Sequence, residues 1–182
     1  MAKHLRLLFC AATIALPALA LPAIAHAEAS EVSPAGFLVV LQQEIHAKPD
    51  DVYSDIGKVE KWWNKVHTWS GDAANLSMQL TSGGCFCERW DGGSAVHGQV
   101  VGLRKNTQVV LQSSLGPLQE LAVNGILTFT MAPRGEGTIL KLTYRVNGGP
   151  NSGLDKLAGP VNGVLTEQLH RLAAYAEKGA AE

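Results

Sequence analysis

The sequence predicts the α+β class: one antiparallel sheet of seven strands, with two short helices after the first strand and a long helix at the C-terminal end. Two observations support this. Most of the chain between Gly36 and Val146 alternates with a period of two, and turn signals separate the stretches. After Ser152 the apolar period becomes helical. A sheet with one apolar face needs a cover, and the last helix is the only amphipathic element long enough to supply it.

The first strand is predicted over Gly36 to Ala47, after a short polar lead. The residues 48–56 are predicted to form a short helix. Pro49 stands at its first position, and the two aspartates that follow suit the positive end of a helix dipole. A second short helix is predicted over Lys58 to Trp63, after Gly57.

Six further strands are predicted between turn signals. They are Leu76 to Leu80, Cys85 to Trp90, Ala95 to Leu103, Gln108 to Ser114, Gly125 to Met131 and Thr138 to Val146. The last alternates most clearly, because Leu142 and Tyr144 share an apolar face while Thr143 lies on the polar one. Such alternation is typical of an antiparallel sheet that is covered on one side.

The C-terminal helix is predicted from a capping box and an apolar stripe. Ser152 and Asp155 have the spacing of the box, and Gly159-Pro160 predicts a kink or a later start. The stripe consists of Leu154, Leu157, Val161, Leu165, Leu172 and Tyr175.

Residues 1–27 are predicted to be a cleaved secretory signal. Lys3 and Arg6 precede an apolar run over 7–21, and 25–27 form the small-x-small pattern of a cleavage site. A retained membrane anchor is the alternative, which two prolines and the alanine content disfavour. We therefore expect a periplasmic or secreted protein with no stable membrane insertion after cleavage.

The length and charge of the remaining chain are typical of a single-domain protein. Cleavage leaves 155 residues, enough for one core. Thirteen basic and 16 acidic residues remain, a formal charge of −3, so nothing indicates binding to nucleic acid. No G-x-x-x-x-G-K-[ST] loop supports an ATPase, and no G-x-S-x-G or H-E-x-x-H motif supports a hydrolase.

Several stretches together resemble the START-like, or helix-grip, superfamily. They are IHAKPDDVYSDIGKVEKWW, GGCFCERW, VHGQVVGL, TQVVLQSSLGPL, GTILKLTYRV and the closing helix. The chain is similar to the bacterial branch that groups polyketide cyclases with the activator of the heat-shock-protein-90 ATPase. This resemblance covers a domain over 36–178. It implies a curved sheet wrapped around the last helix, with a cavity for an apolar ligand between them.

The resemblance also implies which side chains border the cavity. A cluster of Trp62, Trp63 and Trp69 follows the short helices, where family members place one wall of the cavity entrance. Aromatic side chains there give an apolar ligand a large contact area, although a satellite core is the equal alternative. The other expected ligand-binding residues face inward from two strands and the last helix: Phe129, Leu142, Tyr144 and Leu165.

Cys85 and Cys87 are the only cysteines after the predicted signal. Residues i and i+2 of a strand have Cα atoms about 6.6 Å apart and parallel side chains, which is near the upper limit for a disulfide. With a turn at Gly92-Gly93, both sulfurs face inward, away from His97. We therefore expect two packed free thiols and no metal site, while redox chemistry and, in a shifted register, metal binding remain alternatives.

The same register brings Glu88 beside His97. The favoured interpretation is an exposed ion pair on the outer face, with little energetic weight. The alternative is a catalytic carboxylate and imidazole pair that exchanges protons with a substrate. His46, His67 and His170 have no evident partner and receive no role.

Two functional hypotheses follow. The first is an exported protein that binds or carries an apolar small molecule, such as a lipid, an isoprenoid or a polyketide-like compound, without a cofactor. The second is a cofactor-free cyclase or dehydratase that uses Glu88, His97 or Tyr144 for proton transfer. Titratable groups that converge on the cavity would favour the second.

Overall fold

The computed structural model describes residues 29–181, which contain one antiparallel sheet of eight strands and three α-helices. The predicted signal over 1–27 lies outside the described residues. The strands are β1 Ala29–Ser33, β2 Gly36–Ile45, β3 Leu76–Met78, β4 Cys85–Trp90, β5 Gly93–Arg104, β6 Gln108–Ser113, β7 Asn124–Arg134 and β8 Gly137–Asn147. The helices are α1 Pro49–Gly57, α2 Val59–Trp62 and α3 Asp155–Lys178.

The strand order in the sheet is β1-β2-β8-β7-β6-β5-β4-β3. Seven of these strands match the predicted ones, with ends that differ by a few residues. The eighth, β1, falls in the polar lead and pairs with β2 at the edge of the sheet. It is exposed on both faces, so no alternation of apolar residues marks it in the sequence.

The long helix α3 covers the sheet, which confirms the helix-grip fold. Leu165, Leu169 and Leu172 are buried on its inner side within the single large core. The helix begins at Asp155 with no side-chain cap, so the predicted capping box is wrong. It also continues through Pro160, at the cost of one backbone hydrogen bond. Within 29–181, no helix is both long and apolar enough to cross a bilayer.

The hairpin of β4 and β5 differs from the predicted register. Trp90 pairs with Gly93, so the turn is Asp91-Gly92, with φ of 81° at Gly92, and not Gly92-Gly93. Asp-Gly is a preferred pair in two-residue hairpin turns, and its glycine readily adopts the positive φ that is seen here at Gly92. The indole of Trp90 covers Gly93 so closely that a Cβ there would lie 2.4 Å from the ring.

A β-bulge in this hairpin turns His97 inward. Cys87 pairs with Val96 and Phe86 pairs with Gly98, so His97 is an extra residue on β5 with no partner on β4. A bulge lets two consecutive residues lie on nearly the same side of a strand. Accordingly His97 and Gly98 are both buried, whereas Val96 is 63% exposed.

Candidate functional site

A cavity of about 290 Å³ opens between the first half of α3 and the segment 63–69. Leu157, Val161, Val164 and Leu165 line it from α3. The lining is apolar except for three side chains, His67, Thr68 and His97. The cavity therefore offers an apolar ligand a concave surface with two imidazole groups at its wall.

The segment 63–69 is held against α3 by polar side chains of the helix. The backbone N–H of Asn64 donates to Gln168 Oε1 at 2.8 Å, and the Asn64 side-chain amide donates to Glu167. His67 Nε2 lies 3.0 Å from the other oxygen of Glu167. These contacts fix one wall of the cavity to the helix that forms the opposite wall.

The Glu88 carboxylate fixes the other end of this segment. It has no exposed surface and accepts the backbone N–H groups of Trp69 at 3.0 Å and Ser70 at 2.6 Å. Its Oε2 also lies 2.9 Å from His97 Nε2. Glu88 therefore joins the mouth of the cavity to the imidazole in its wall.

The proximity of Glu88 and His97 was predicted correctly, but their predicted exposure on the outer face is wrong. His97 is 5% exposed and lines the cavity. The error has two causes, the turn placed one residue too late and the bulge, which no local pattern announces. Phe86 and Glu88 are fully buried, and Cys87 is also buried, but neither cysteine lines the cavity.

The protonation of this pair follows from burial and hydrogen bonding. Burial raises the pKa of Glu88, but hydrogen bonds from Ser70, Trp69 and His97 outweigh it and hold the pKa below its usual range. Burial lowers the pKa of His97, and the Glu88 carboxylate opposes this only in part. A carboxylate only accepts hydrogen bonds, so the proton of the neutral imidazole is on Nε2 and Nδ1 carries a lone pair.

The Nδ1 atom of His97 is nearly free of protein partners. Gln119 Nε2 lies 3.5 Å away and donates its better hydrogen bond, of 3.0 Å, to the carbonyl of Val96. A contact of 3.5 Å is at the limit of a hydrogen bond. Gln119 is therefore at most a weak hydrogen-bond partner of this lone pair.

Three of the six predicted ligand-binding residues line this cavity: Trp63, Trp69 and Leu165. Phe129 and Leu142 do not, because they lie in the core beneath α3 and Trp62, where no space for a water molecule remains. The apolar face of the sheet was predicted correctly, but α3 packs directly on its central strands. The cavity lies to one side, under the 63–69 segment.

Tyr144 is likewise a core residue and not part of the cavity lining. Its hydroxyl donates to the carbonyl of Ser113 at 3.0 Å and accepts the N–H of Leu115 at 3.3 Å. Burial raises the pKa of Tyr144 far above its ordinary value. A role for Tyr144 in proton transfer is therefore not supported, and its hydroxyl holds the segment after β6.

Cys85 and Cys87 form a disulfide, so the prediction of two free thiols is wrong. Their Cα atoms are 5.4 Å apart, closer than the spacing of about 6.6 Å expected for a regular strand. This separation is within the usual disulfide range, and the bond lies where the register between β4 and β5 shifts. Among residues 29–181, no three His, Cys, Asp or Glu side chains come together as metal ligands.

His67 is the functional candidate that the sequence did not reveal. Its partner Glu167 is 100 residues away, so no local spacing connects them. The cavity-lining residues of α3 were partly visible, since Leu157, Val161 and Leu165 belong to the predicted apolar stripe.

Comparisons with known proteins agree with the fold. Residues 37–177 match the family described as polyketide cyclase / dehydrase and lipid transport. No curated protein matches the chain.

Solved structures with the same fold share little sequence with the chain. The Aha1 dimer from Colwellia psychrerythraea has 19% identity and a TM-score of 0.57 over 78% of this chain and 97% of that one. CalU16 from Micromonospora echinospora has 14% identity and a TM-score of 0.54 over 77% and 74%. The di-domain ARO/CYC StfQ of the steffimycin biosynthetic pathway has 17% identity and a TM-score of 0.56 over 79% and 51%.

Proposed function

Because the chain belongs to the polyketide cyclase / dehydrase and lipid transport family, we propose that it is an exported protein that binds or carries an apolar small molecule. The ligand occupies the cavity between α3 and the segment 63–69. The observation that carries this proposal is the size and lining of that cavity, about 290 Å³ and apolar except for three side chains. A preformed cavity of this kind is typical of small-molecule sites.

The position of the aromatic side chains supports ligand uptake through the mouth. Trp69 is 47% exposed and Val66 is 69% exposed, and both line the cavity. Large apolar side chains at a surface lose contact with water when a ligand covers them, which favours binding. Trp63, which is almost buried, continues this apolar wall inward.

Export is supported by the predicted signal over 1–27 and by the disulfide of Cys85 and Cys87. Structural disulfides persist in oxidising compartments such as the periplasm and are rare in the cytosol. A periplasmic or secreted carrier would meet its ligand in an aqueous space, where an apolar molecule needs shielding from water.

Binding is tested with N-phenyl-1-naphthylamine, an uncharged fluorescent naphthylamine. We expect micromolar affinity, about −8 kcal/mol. The substitution Val164→Trp places an indole in the cavity and should weaken binding at least about tenfold, or about 1.4 kcal/mol, because ligand and indole compete for the same space. Fluorescence titration measures both constants.

The matched control is His170→Trp, which adds the same indole to the exposed side of the same helix. It should bind the dye as the unchanged protein does. Equal affinities for all three proteins would contradict this location of the site, and absence of any binding would contradict the proposed function.

A further inference from the structure

We propose that the disulfide of Cys85 and Cys87 is a thiol–disulfide exchange site, at which an external thiolate attacks Cys85 Sγ and Cys87 Sγ is the leaving group. The thiolate belongs to a small thiol or to a cysteine of an unfolded polypeptide. This activity is independent of ligand binding, because neither cysteine lines the cavity. It gives the chain a second function, the exchange of two electrons with thiols.

The two cysteines differ in their access to solvent. Cys85 is half-buried at the first position of β4, whereas Cys87 is only 3% exposed. Gln99, which pairs with Cys85 on β5, is exposed. Gly83, just before β4, is exposed too, and no atom of the described residues lies within 4 Å of the place that a Cβ would take there. Exchange depends on which sulfur a thiolate can reach, so attack occurs at Cys85.

The fold holds the oxidised form of this pair only weakly. The cysteines are two positions apart, so the loop-entropy relation gives the bond an effect of about 5–30-fold on the ratio of folded to unfolded chains. A bond across about 100 residues would have an effect of about 3000-fold. Linkage is reciprocal, so folding favours the bonded form by the same small factor. Structural disulfides resist the glutathione pool, whereas accessible ones exchange with it.

The strand keeps the two cysteines close together when the bond opens. Cys87 pairs with Ser77 on β3 and with Val96 on β5. The carbonyl of Cys85 accepts the N–H of Gln79 at 3.1 Å. These backbone contacts do not depend on the sulfurs, so the Cα atoms should stay near their separation of 5.4 Å. The dithiol is therefore arranged to close again, and the exchange is reversible.

The exchange balances with thiols alone. The first thiolate forms a bond to Cys85 Sγ, and the electron pair of the broken bond leaves on Cys87 Sγ, which takes a proton from water. A second thiolate attacks the external sulfur of this mixed disulfide, and Cys85 Sγ leaves with the electron pair and takes a proton. Two external thiols are thus oxidised to one disulfide, and the protein disulfide is reduced to two thiols. An added disulfide, such as oxidised glutathione, reverses both steps.

The first test is an equilibrium of the unchanged protein with about 5 mM reduced and about 0.5 mM oxidised glutathione, without oxygen. Free thiols are trapped with N-ethylmaleimide and counted by intact mass. We expect at least about one chain in ten to carry two free thiols, whereas a resistant structural disulfide would leave about one in a thousand. A reduced fraction below about one in ten would overturn the proposal.

The second test locates the sulfur that is attacked. Cys87→Ser keeps only the half-buried thiol of Cys85, and the matched variant Cys85→Ser keeps only the buried thiol of Cys87. With oxidised glutathione, Cys87→Ser should form its mixed disulfide at least about tenfold faster, because its thiol is accessible. Thermal unfolding shows whether both variants keep the fold. Equal rates in folded variants would overturn the assignment of Cys85.

Peptide mapping gives the same answer without a substitution. The mixed disulfide trapped from the unchanged protein should carry glutathione on Cys85, and glutathione on Cys87 would overturn the assignment. The source of the thiol is identified by the rates with glutathione and with an unfolded peptide that contains two cysteines, at equal thiol concentration. The faster reaction identifies the substrate, and oxidation of neither would overturn the proposal.

The dye separates this inference from the proposed function. Saturation with N-phenyl-1-naphthylamine should change the rate of exchange less than about twofold, because neither cysteine lines the cavity. Dye binding without exchange contradicts this inference alone. Exchange without dye binding contradicts the proposed function alone.

Discussion

Glu88 is the residue that connects the sheet to the cavity wall. It is fully buried and stays ionised because two backbone N–H groups and an imidazole N–H surround its oxygens. One carboxylate therefore determines both the conformation of the chain at Trp69 and the tautomer of His97. Removal of the Glu88 carboxylate should therefore change the chain conformation at the mouth of the cavity as well as the state of His97 inside it.

Stability should depend on pH through His97. Burial holds its pKa in the folded protein below the ordinary value of about 6.5. As the pH falls through that value, the unfolded chain takes up a proton that the folded protein does not, so stability decreases toward the lower pKa. Each unit between the two pKa values corresponds to about 1.4 kcal/mol.

The measurement is thermal unfolding between pH 7.5 and pH 5.5. The melting temperature of the unchanged protein should fall across this range, and His97→Gln should flatten the curve. His170→Gln, which removes an exposed imidazole, should keep the slope. A slope that survives His97→Gln would show that another group titrates.

The sequence predicted that Glu88 and His97 are neighbours but not which way they face. A strand places alternate residues on opposite faces, so a single extra residue reverses the faces beyond it. The Asp91-Gly92 turn is a recognisable signal that would have corrected the register near the turn. The bulge at His97 has no such signal in the local pattern of residues.

At the scale of elements, the disulfide on β4 lies opposite the bulge on β5. Neither cysteine lines the cavity, and Cys87 is buried beside Phe86 and Glu88 of the same strand. Phe86 contacts both Trp63 and His97 through its ring. The disulfide thus stiffens the strand that supports the cavity, without reaching the cavity itself.

Reduction of this disulfide should have a small effect on stability. The bond closes a loop between cysteines only two positions apart, so it removes little entropy from the unfolded chain. The loop-entropy relation gives about 1–2 kcal/mol, which corresponds to a melting temperature lower by about 3–6 °C in a domain of this size. Thermal unfolding with and without dithiothreitol measures the difference.

Dye affinity is the internal control for that measurement, because neither cysteine lines the cavity. It should change less than about twofold on reduction. An intact mass that equals that of the fully reduced chain, with no response to dithiothreitol, would contradict the bond.

The elements themselves were largely predictable. Seven strands and the helices have patterns that local physics explains, such as the alternation in β8 or Pro49 at the start of α1. The cavity was less predictable, because its walls come from distant parts of the chain. Asn64 and His67 are held by Gln168 and Glu167, which come about 100 residues later in the chain. No periodicity in the sequence indicates contacts between such distant residues.

At the scale of the whole molecule, the sheet, α3 and the segment 63–69 form three walls of the cavity, and each contributes a different part of the site. The sheet supplies His97 through β5, α3 supplies five of the eleven apolar lining residues, and the segment supplies the mouth. The segment is joined to both other walls by side-chain hydrogen bonds, through Glu88 and through Glu167. These hydrogen bonds therefore fix the position of the segment relative to both other walls.

Export and the disulfide make a joint prediction for the full chain. Expressed in a Gram-negative host, the protein should appear soluble in the periplasmic fraction and begin at Glu28, because the pattern at 25–27 directs cleavage there. Its intact mass should be lower than that of the reduced chain by two hydrogens, because the periplasm is oxidising.

A variant that lacks 2–27 is the matched control: it should stay in the cytosol and carry both thiols in reduced form. N-terminal sequencing that finds Met1 or Ala2 on a membrane-bound form would overturn the export proposal, and a bonded pair in the cytosolic variant would show that the disulfide is independent of the compartment.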